Sequence, residues 1–189
     1  MAEPLSLARH IFLTGEKQVG KSTLWQRLIA RQQLRCAGFE TRLLTLEGQR
    51  RGFILHGRVD MDPASNDCIV SVRTGPRKSV PVLDVFNENG VEILRRSLDS
   101  DAPFLLMDEL GKLERQAEAF CSQVRLCLDS EKRVLGVLQQ CDSPLVAEIA
   151  TRPDVTLLRV TVDNREALLN ALISGLTPAA CPRKIREEL

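Results

Sequence analysis

The sequence predicts an α/β fold in which a mostly parallel sheet carries helices on both faces. In the second half of the chain, short apolar runs alternate with segments whose apolar residues recur at helical spacing. This alternation requires crossover connections, which place helices against both faces of a parallel sheet. A chain of 189 residues has room for one such domain, which we expect over residues 1–175 with a tail over 176–189.

The first predicted elements are a buried strand and an amphipathic helix. Ile11-Phe12-Leu13 is an apolar run that ends at Thr14-Gly15, as a buried strand does. The helix that follows is expected to continue through Cys36 and to be capped by Gly38.

A β-hairpin is predicted after this helix, with strands over 39–47 and 52–58. Asp, Asn and Pro residues favour a loop up to residue 67, and Cys68–Val72 predicts a short strand. The later segments predict a helix over 88–98, a strand over Phe104–Met107, a helix over about 116–130, a strand over 133–139, a helix over 143–151, a strand over 155–162 and a helix over 165–174. Asp163 stands where the last helix needs an N-cap.

Composition excludes several classes of function. The 26 Lys and Arg residues nearly balance the 25 Asp and Glu residues, which gives no support for a dedicated duplex-DNA or polybasic membrane binder. Six Phe and one Trp are too few for a stacking platform on single strands. We therefore expect neither a nucleic acid nor a membrane as a partner.

The cysteine pattern favours a reduced, cytoplasmic protein. The nearest pair, Cys121 and Cys127, is not a C-x-x-C motif, and only two histidines could complete a zinc site. The first residues lack the basic and apolar regions of a secretory leader, so we expect no disulfide framework. No apolar run approaches the roughly 18 residues that a membrane span requires.

A glycine-rich motif follows the first strand. Residues 15–22 match G-x-x-x-x-G-K-[ST], with a strand before and a helix after the motif. Its glycines let consecutive N–H groups point at one anion, and the helix N-terminus adds partial positive charge. We expect Lys21 to reach the β- and γ-phosphates of a nucleotide and Ser22 to bind Mg²⁺. The residues expected at the phosphates are Gly15, Glu16, Lys17, Gln18, Val19, Gly20, Lys21, Ser22 and Thr23.

Two carboxylates close the apolar strand that begins at Phe104. Asp108 is suited to bind Mg²⁺ beside the phosphates, directly or through water. Glu109 could deprotonate a water for in-line attack on the γ-phosphate, which makes it a catalytic candidate together with Lys21. Lys112 and Glu114 could form a solvated pair at a helix start, or Lys112 could point back at phosphate or at Glu109.

Other polar residues are weaker candidates. Gln139 and Gln140 end a predicted strand, where a polar group can lie near the γ-phosphate or the attacking water. Arg50 and Arg51 at the hairpin tip could be a mobile phosphate contact or part of a solvated turn. We expect His10 and His56 to be structural or exposed, Trp25 to lie in the core or partly at the surface, and the cysteines to be small buried residues.

These motifs resemble the P-loop nucleoside-triphosphatase family first described from thermophiles, also called cancer-related nucleoside-triphosphatase, over about residues 9–174. The matching segments are the phosphate loop Thr14–Thr23, the acidic run Asp108–Glu114, the hairpin motif at Gly38–Thr41 and Gly52-Phe53, and Val162–Arg165 before the last helix. The acidic run is the most specific of them.

The resemblance implies the three-layer sandwich of P-loop NTPases. It also implies Mg²⁺-dependent hydrolysis of NTPs such as ATP and GTP to NDP and phosphate, with broad base tolerance. Carried over by position, it places Lys21 and Ser22 at phosphate and metal, Asp108 at metal and Glu109 as the base. It also gives Lys112 and Glu114 an active-site position.

The chain departs from the family pattern in the phosphate loop, where proline is frequent near Glu16 and Lys17, and in the hairpin. Gln18 stands where a third glycine is usual, and Arg42 stands where an acidic residue commonly follows the hairpin threonine. These changes bear on turnover rate and base selectivity. A nucleotide or small-molecule kinase is an alternative function, although residues 115–160 show no arginine-rich lid. A slow nucleotide-dependent switch, acting through a protein partner, is another.

Overall fold

The computed structural model describes residues 7–75 and 78–176. The strands are β1 (His10–Thr14), β2 (Cys36–Leu46), β3 (Gln49–Gly57), β4 (Asp67–Gly75), β5 (Lys78–Pro81), β6 (Phe104–Leu110), β7 (Arg133–Leu138) and β8 (Val155–Arg159). The helices are α1 (Lys21–Gln32), α2 (Pro63–Asn66), α3 (Leu83–Val85), α4 (Val91–Asp99), α5 (Glu118–Asp129), α6 (Pro144–Ala150) and α7 (Arg165–Gly175), and a π-helical turn (Phe86–Gly90) joins α3 to α4. Residues 177–189 of the predicted tail lie outside the described residues.

Over the described ranges the strands form one sheet in the order β5-β4-β3-β2-β6-β7-β1-β8. The pairings from β2 through β6, β7 and β1 to β8 are parallel, whereas β2, β3, β4 and β5 pair antiparallel. The predicted parallel sheet is therefore confirmed, with an antiparallel extension at one side. Within the same ranges, no helix is long and apolar enough to cross a membrane.

Helices cover both faces of the parallel strands, as predicted. On one face, α1 and α7 pack through residues such as Trp25, Leu28 and Leu169. On the other face, α4, α5 and α6 bury a second cluster that includes Phe120 and Ile149. Two cores on opposite sides of one sheet make the molecule a three-layer sandwich, and apolar burial on both sides stabilises it.

Trp25 anchors α1 to the sheet. Its side chain is fully buried, and its Nε1 donates a hydrogen bond of 2.8 Å to the carbonyl of Gly136 in β7. A buried indole N–H needs such a partner. Trp25 lies roughly one helical turn after Lys21 and Ser22, so this contact fixes the start of α1 relative to the sheet.

The predicted hairpin is confirmed, and its turn is short. Glu47 and Gly48 join β2 to β3 with φ angles of 51° and 71°. A two-residue turn with positive φ at both positions matches the twist of the strands it connects. Arg50 and Arg51 consequently lie within β3, where both are exposed.

The expected cap at Gly38 is wrong. Helix α1 ends at Gln32, and Gln33 takes the left-handed conformation while its N–H bonds to the carbonyl of Ile29. Gly38 lies inside β2 with φ 103°, where a Cβ would come within 2.0 Å of the Leu106 carbonyl of β6. The glycine permits close approach of two strands rather than the end of a helix.

Other predicted boundaries also need correction. Asn164, not Asp163, is the residue before α7, and its Oδ1 accepts a hydrogen bond of 2.8 Å from the N–H of Thr161. The region predicted as a loop contains α2, and the strand predicted over Cys68–Val72 is the longer β4. Strand β6 continues beyond Met107 and includes both carboxylates of the acidic pair.

Candidate active site

The glycine-rich loop joins β1 to α1, as its motif requires. Gly15 has φ 137°, and a Cβ on it would lie 2.4 Å from the carbonyl of Val160, so only glycine lets the loop pack against this segment. Gly20 has φ 101° immediately before the helix. Both angles belong to the left-handed region that glycine adopts at low cost. The loop therefore curls over the end of β1.

Gln18 adopts a glycine-like conformation without being glycine. Its φ is 63°, and its side chain is exposed, as are those of Glu16 and Lys17. A residue with a Cβ is strained in this region by about 1–2 kcal/mol. The loop thus keeps its path despite the departure from the family pattern at this position. Val19, by contrast, is buried and packs with the core below α1.

Lys21 is held inside the loop. Its Nζ donates hydrogen bonds of 3.0 Å to the carbonyl of Gly15 and 2.7 Å to the carbonyl of Glu16. The side chain is buried at 7% exposure, so its ammonium charge is held against the backbone of the loop. A fixed cation beside such N–H groups makes the loop a favourable place for phosphate.

Ser22 and Asp108 are in direct contact. The Oγ of Ser22 donates a hydrogen bond of 3.0 Å to Oδ1 of Asp108. Burial raises the pKa of Asp108 to about 6, although the hydrogen bond from Ser22 favours the ionised form. The sheet order brings these residues together because β1 and β6 are parallel strands separated only by β7, so their carboxyl ends lie at the same edge of the sheet.

Glu109 is oriented by two neighbours. Its carboxylate Oε1 accepts a hydrogen bond from Nε2 of Gln139, which follows β7. Its backbone N–H donates to Oγ1 of Thr41 in β2 at 3.3 Å. Glu109 is half-buried, so it is open on one side while both neighbours restrain it. Gln139, which was a candidate because it ends a predicted strand, therefore contacts the predicted base.

Lys112 and Glu114 do not form a solvated pair. Lys112 is exposed, whereas Glu114 is 3% exposed and accepts a hydrogen bond from the N–H of Gly111. Burial raises the pKa of Glu114 to about 7. Residues 111–117 form a turn rather than the start of α5, and Glu114 closes it. Glu114 thus shapes the loop after the acidic pair.

A charge cluster that sequence reasoning missed lies beside Asp108. Glu40 is buried and is the register partner of Asp108 in the β2–β6 pairing. It forms an ion pair with Arg58, and Arg42 lies 3.5 Å away from its Oε2. The Glu40 charge also contributes to the raised pKa of Asp108. The position of Glu40 in the hairpin motif was the available signal, because that motif lies in the part of β2 that pairs with β6.

Among the described residues, the two histidines and Gln140 form no hydrogen bond or ion pair with the acidic pair. His10 is fully buried, donates from Nε2 to the carbonyl of Leu128 at 2.9 Å, and accepts the N–H of Val134 at Nδ1. Burial lowers its pKa, which suits this neutral structural role. His56 pairs with Asp67 at 2.6 Å between β3 and β4. Gln140 is exposed next to Gln139.

Within residues 7–75 and 78–176, no group of three or more His, Cys, Asp and Glu side chains could by itself hold a metal ion. The oxygen atoms of Ser22 and Asp108 instead form a two-residue pair of hard donors. Mg²⁺ commonly uses one or two protein ligands together with phosphate oxygens and water. The donor set of this pair fits that ion.

A parallel sheet with this loop after β1 and this acidic pair at the end of β6 defines a P-loop nucleotide-binding protein. The chain belongs to the NTPase family, whose family model matches residues 10–173. The predicted family, the fold class and the enzyme class, a nucleoside triphosphatase, are confirmed by this match and by the relatives described next.

Relatives cover nearly the whole chain. "Nucleoside-triphosphatase THEP1" of Thermotoga sp. (strain RQ2) is 32% identical over 88% of this chain and 94% of the relative. "Cancer-related nucleoside-triphosphatase homolog" of Mus musculus is 33% identical over 89% of this chain and 96% of the relative.

Two solved structures share the fold. The crystal structure of THEP1 from the hyperthermophile Aquifex aeolicus has a TM-score of 0.68 and 28% identity, with 87% of this chain and 97% of that chain covered. The solution structure of a human cancer-related nucleoside triphosphatase has a TM-score of 0.65 and 30% identity, with 88% and 96% covered.

Proposed function

We propose that this chain hydrolyses nucleoside triphosphates to the diphosphate and phosphate, that it requires Mg²⁺, and that it accepts several bases. One observation carries the proposal: the hydrogen bond of 3.0 Å between Ser22 and Asp108, with Glu109 next in sequence. This hydrogen bond places the glycine-rich loop, two hard oxygen donors and the carboxylate of Glu109 in one small region, which is the combination that hydrolysis of a nucleoside triphosphate needs.

Ser22 and Asp108 would hold the metal ion, which would offset the negative charge of the phosphates. The same two oxygens already lie in contact, so the donors need little rearrangement. Lys21 would bind the β- and γ-phosphates from inside the loop, where its ammonium group is held by two carbonyls.

Glu109 would take the proton from the attacking water. Gln139 holds one carboxylate oxygen and leaves the other available, while Thr41 fixes the backbone. A base that is restrained before the reaction loses little conformational freedom on reaching its productive geometry. The contacts of Glu109 therefore support hydrolysis better than mere nucleotide binding.

The connections around the site support hydrolysis over transfer to a second substrate. Residues 139–143 join β7 to α6, and residues 160–164 join β8 to α7. Neither segment has room for the long lid that a kinase closes over its acceptor.

The cysteines that the structure describes are free thiols, which supports a reducing compartment such as the cytoplasm. They are Cys36, Cys68, Cys121, Cys127 and Cys141.

Phosphate release from ATP, GTP, CTP and UTP, with and without Mg²⁺, tests this proposal. We expect release from all four with Mg²⁺, and a fall of at least about a hundredfold in Glu109→Gln, because the amide cannot accept the proton. Glu118→Gln, an exposed position at the start of α5, is the control and should keep the parent rate. Parental turnover in Glu109→Gln contradicts the assignment of the base, and nucleotide binding without release contradicts hydrolysis.

A further inference from the structure

Arg165 lines a groove beside the phosphate loop. The groove lies between α1 and α7, has a volume of about 240 Å³, and is lined by Gly20, Thr23, Leu24, Arg27, Arg165 and Glu166. A Cβ on Gly20 would lie 3.7 Å from Nη1 of Arg165. The guanidinium group therefore reaches the end of the glycine-rich loop, immediately before Lys21.

The sheet order determines which end of a nucleotide faces this groove. Strands β7 and β8 flank β1 on opposite sides, and β6 lies beyond β7. Asp108 and Glu109 on β6 mark the end at which the γ-phosphate is cleaved. The triphosphate is a linear chain, so its α-phosphate and the nucleoside lie toward β8 and the start of α7, where the groove is.

The backbone at Arg165 is held in place, whereas its guanidinium group has no hydrogen-bond partner among the described residues. The turn before it is held by Asn164, whose Nδ2 donates to the carbonyl of Arg159 at 2.8 Å. Within the described residues, Arg165 itself donates no hydrogen bond. Arg27 and Glu166, in contrast, satisfy each other through a two-pronged ion pair. Of the charged groups that line this groove, the planar guanidinium of Arg165 is thus the one that remains available for a ligand.

We propose that this groove holds the nucleoside of the substrate, with the guanidinium plane of Arg165 stacked on the base. This inference rests on the proposed function, because the phosphate loop sets the position of the nucleotide. Guanidinium groups stack on the faces of aromatic rings, and every base has such a face. Arg27 and Glu166 are paired with each other, so neither charge is free to select one base edge, and we expect the groove to tolerate all four bases.

Calorimetric titration with Mg²⁺ separates the base from the phosphates. The probes are ADP, GDP, CDP and UDP, which have no γ-phosphate to release, and inorganic pyrophosphate, which has no nucleoside. We expect the parent to bind the four diphosphates within about tenfold of one another. Arg165→Ala should weaken each of them by about tenfold and change pyrophosphate binding by less than about twofold.

Two further variants sharpen the test. Arg165→Lys keeps the charge but removes the plane, so its affinities should be close to those of Arg165→Ala. Arg95→Ala removes an exposed arginine from α4 on the other face of the sheet and should match the parent. Thermal unfolding of each variant establishes that it folds.

Three results overturn the inference: unchanged diphosphate affinity in Arg165→Ala, an equal loss for pyrophosphate, or a preference of more than about thirtyfold for one base in the parent. Each of these leaves hydrolysis intact if the parent still releases phosphate. A parent that binds neither the diphosphates nor pyrophosphate overturns the proposed function and this inference together.

Discussion

The Oγ of Ser22 donates a hydrogen bond to Oδ1 of Asp108 across 86 positions of sequence. Ser22 lies in the first turn of α1, and Asp108 lies near the end of β6. The contact joins two motifs that appear far apart in the chain and brings the predicted phosphate site beside the predicted base. The chemistry of the site depends on this junction.

Lys21→Ala should weaken binding of nucleoside triphosphates by at least about a hundredfold and abolish turnover, because it removes the buried cation that faces the phosphates. Equilibrium binding and phosphate release measure the two effects. Lys78→Ala is the matched control, since Lys78 is an exposed residue of β5. Near-parental affinity in Lys21→Ala would show that the loop N–H groups suffice.

Gln139→Ala should lower kcat by about tenfold and leave KM nearly unchanged, because Gln139 orients Glu109 without reaching the substrate. Steady-state kinetics measure both parameters. Gln140→Ala, at the exposed neighbouring position, should behave like the parent. A change confined to KM would place Gln139 at the substrate instead.

Glu114→Gln should make stability less dependent on pH. Burial raises the pKa of Glu114 from 4.5 to about 7, so the parent gains stability from the protonated group below pH 4.5 and loses it as the pH rises through 7. The loss is on the order of 3 kcal/mol, and the neutral amide avoids it. Urea unfolding at pH 5 and pH 8 measures the difference. A parallel pH dependence in parent and variant contradicts the prediction.

Gly38→Ala should destabilise the fold by more than about 3 kcal/mol, since it combines left-handed strain with a clash against β6. Gly48→Ala is the matched comparison: its φ is 71°, and nothing lies within 4 Å of the added Cβ. That change should cost only about 1–2 kcal/mol. Equal losses in urea unfolding would mean that backbone conformation alone explains the effect at Gly38.

Local patterns sufficed for the parts of the fold that depend on neighbouring residues. The apolar run before Gly15 and the helical spacing after Lys21 predicted β1 and α1, and the alternation of later elements predicted the parallel sheet. Gly38 was misread because a glycine after a helix resembles a cap. Its actual role depends on Leu106, and only the β2–β6 pairing brings that residue near.

The candidate site was predictable where a motif contains the chemistry. Ser22, Asp108 and Glu109 lie within two motifs, whereas Glu40 and Arg165 are defined by what packs against them. The ion pair of Glu40 with Arg58 requires the hairpin register, and the position of Arg165 requires the turn held by Asn164. The hairpin register and the path of this turn are not encoded in residue spacing, so the motifs marked these segments without giving the contacts of Glu40 and Arg165.

Trp25 gives the molecule an intrinsic fluorophore. It is the only tryptophan of the chain, it is fully buried, and its indole is bonded to Gly136 beneath the helix that carries Lys21 and Ser22. Separation of α1 from the sheet exposes the ring to water, so the emission maximum moves to longer wavelength. Fluorescence therefore follows the detachment of the nucleotide-binding helix in the unlabelled protein.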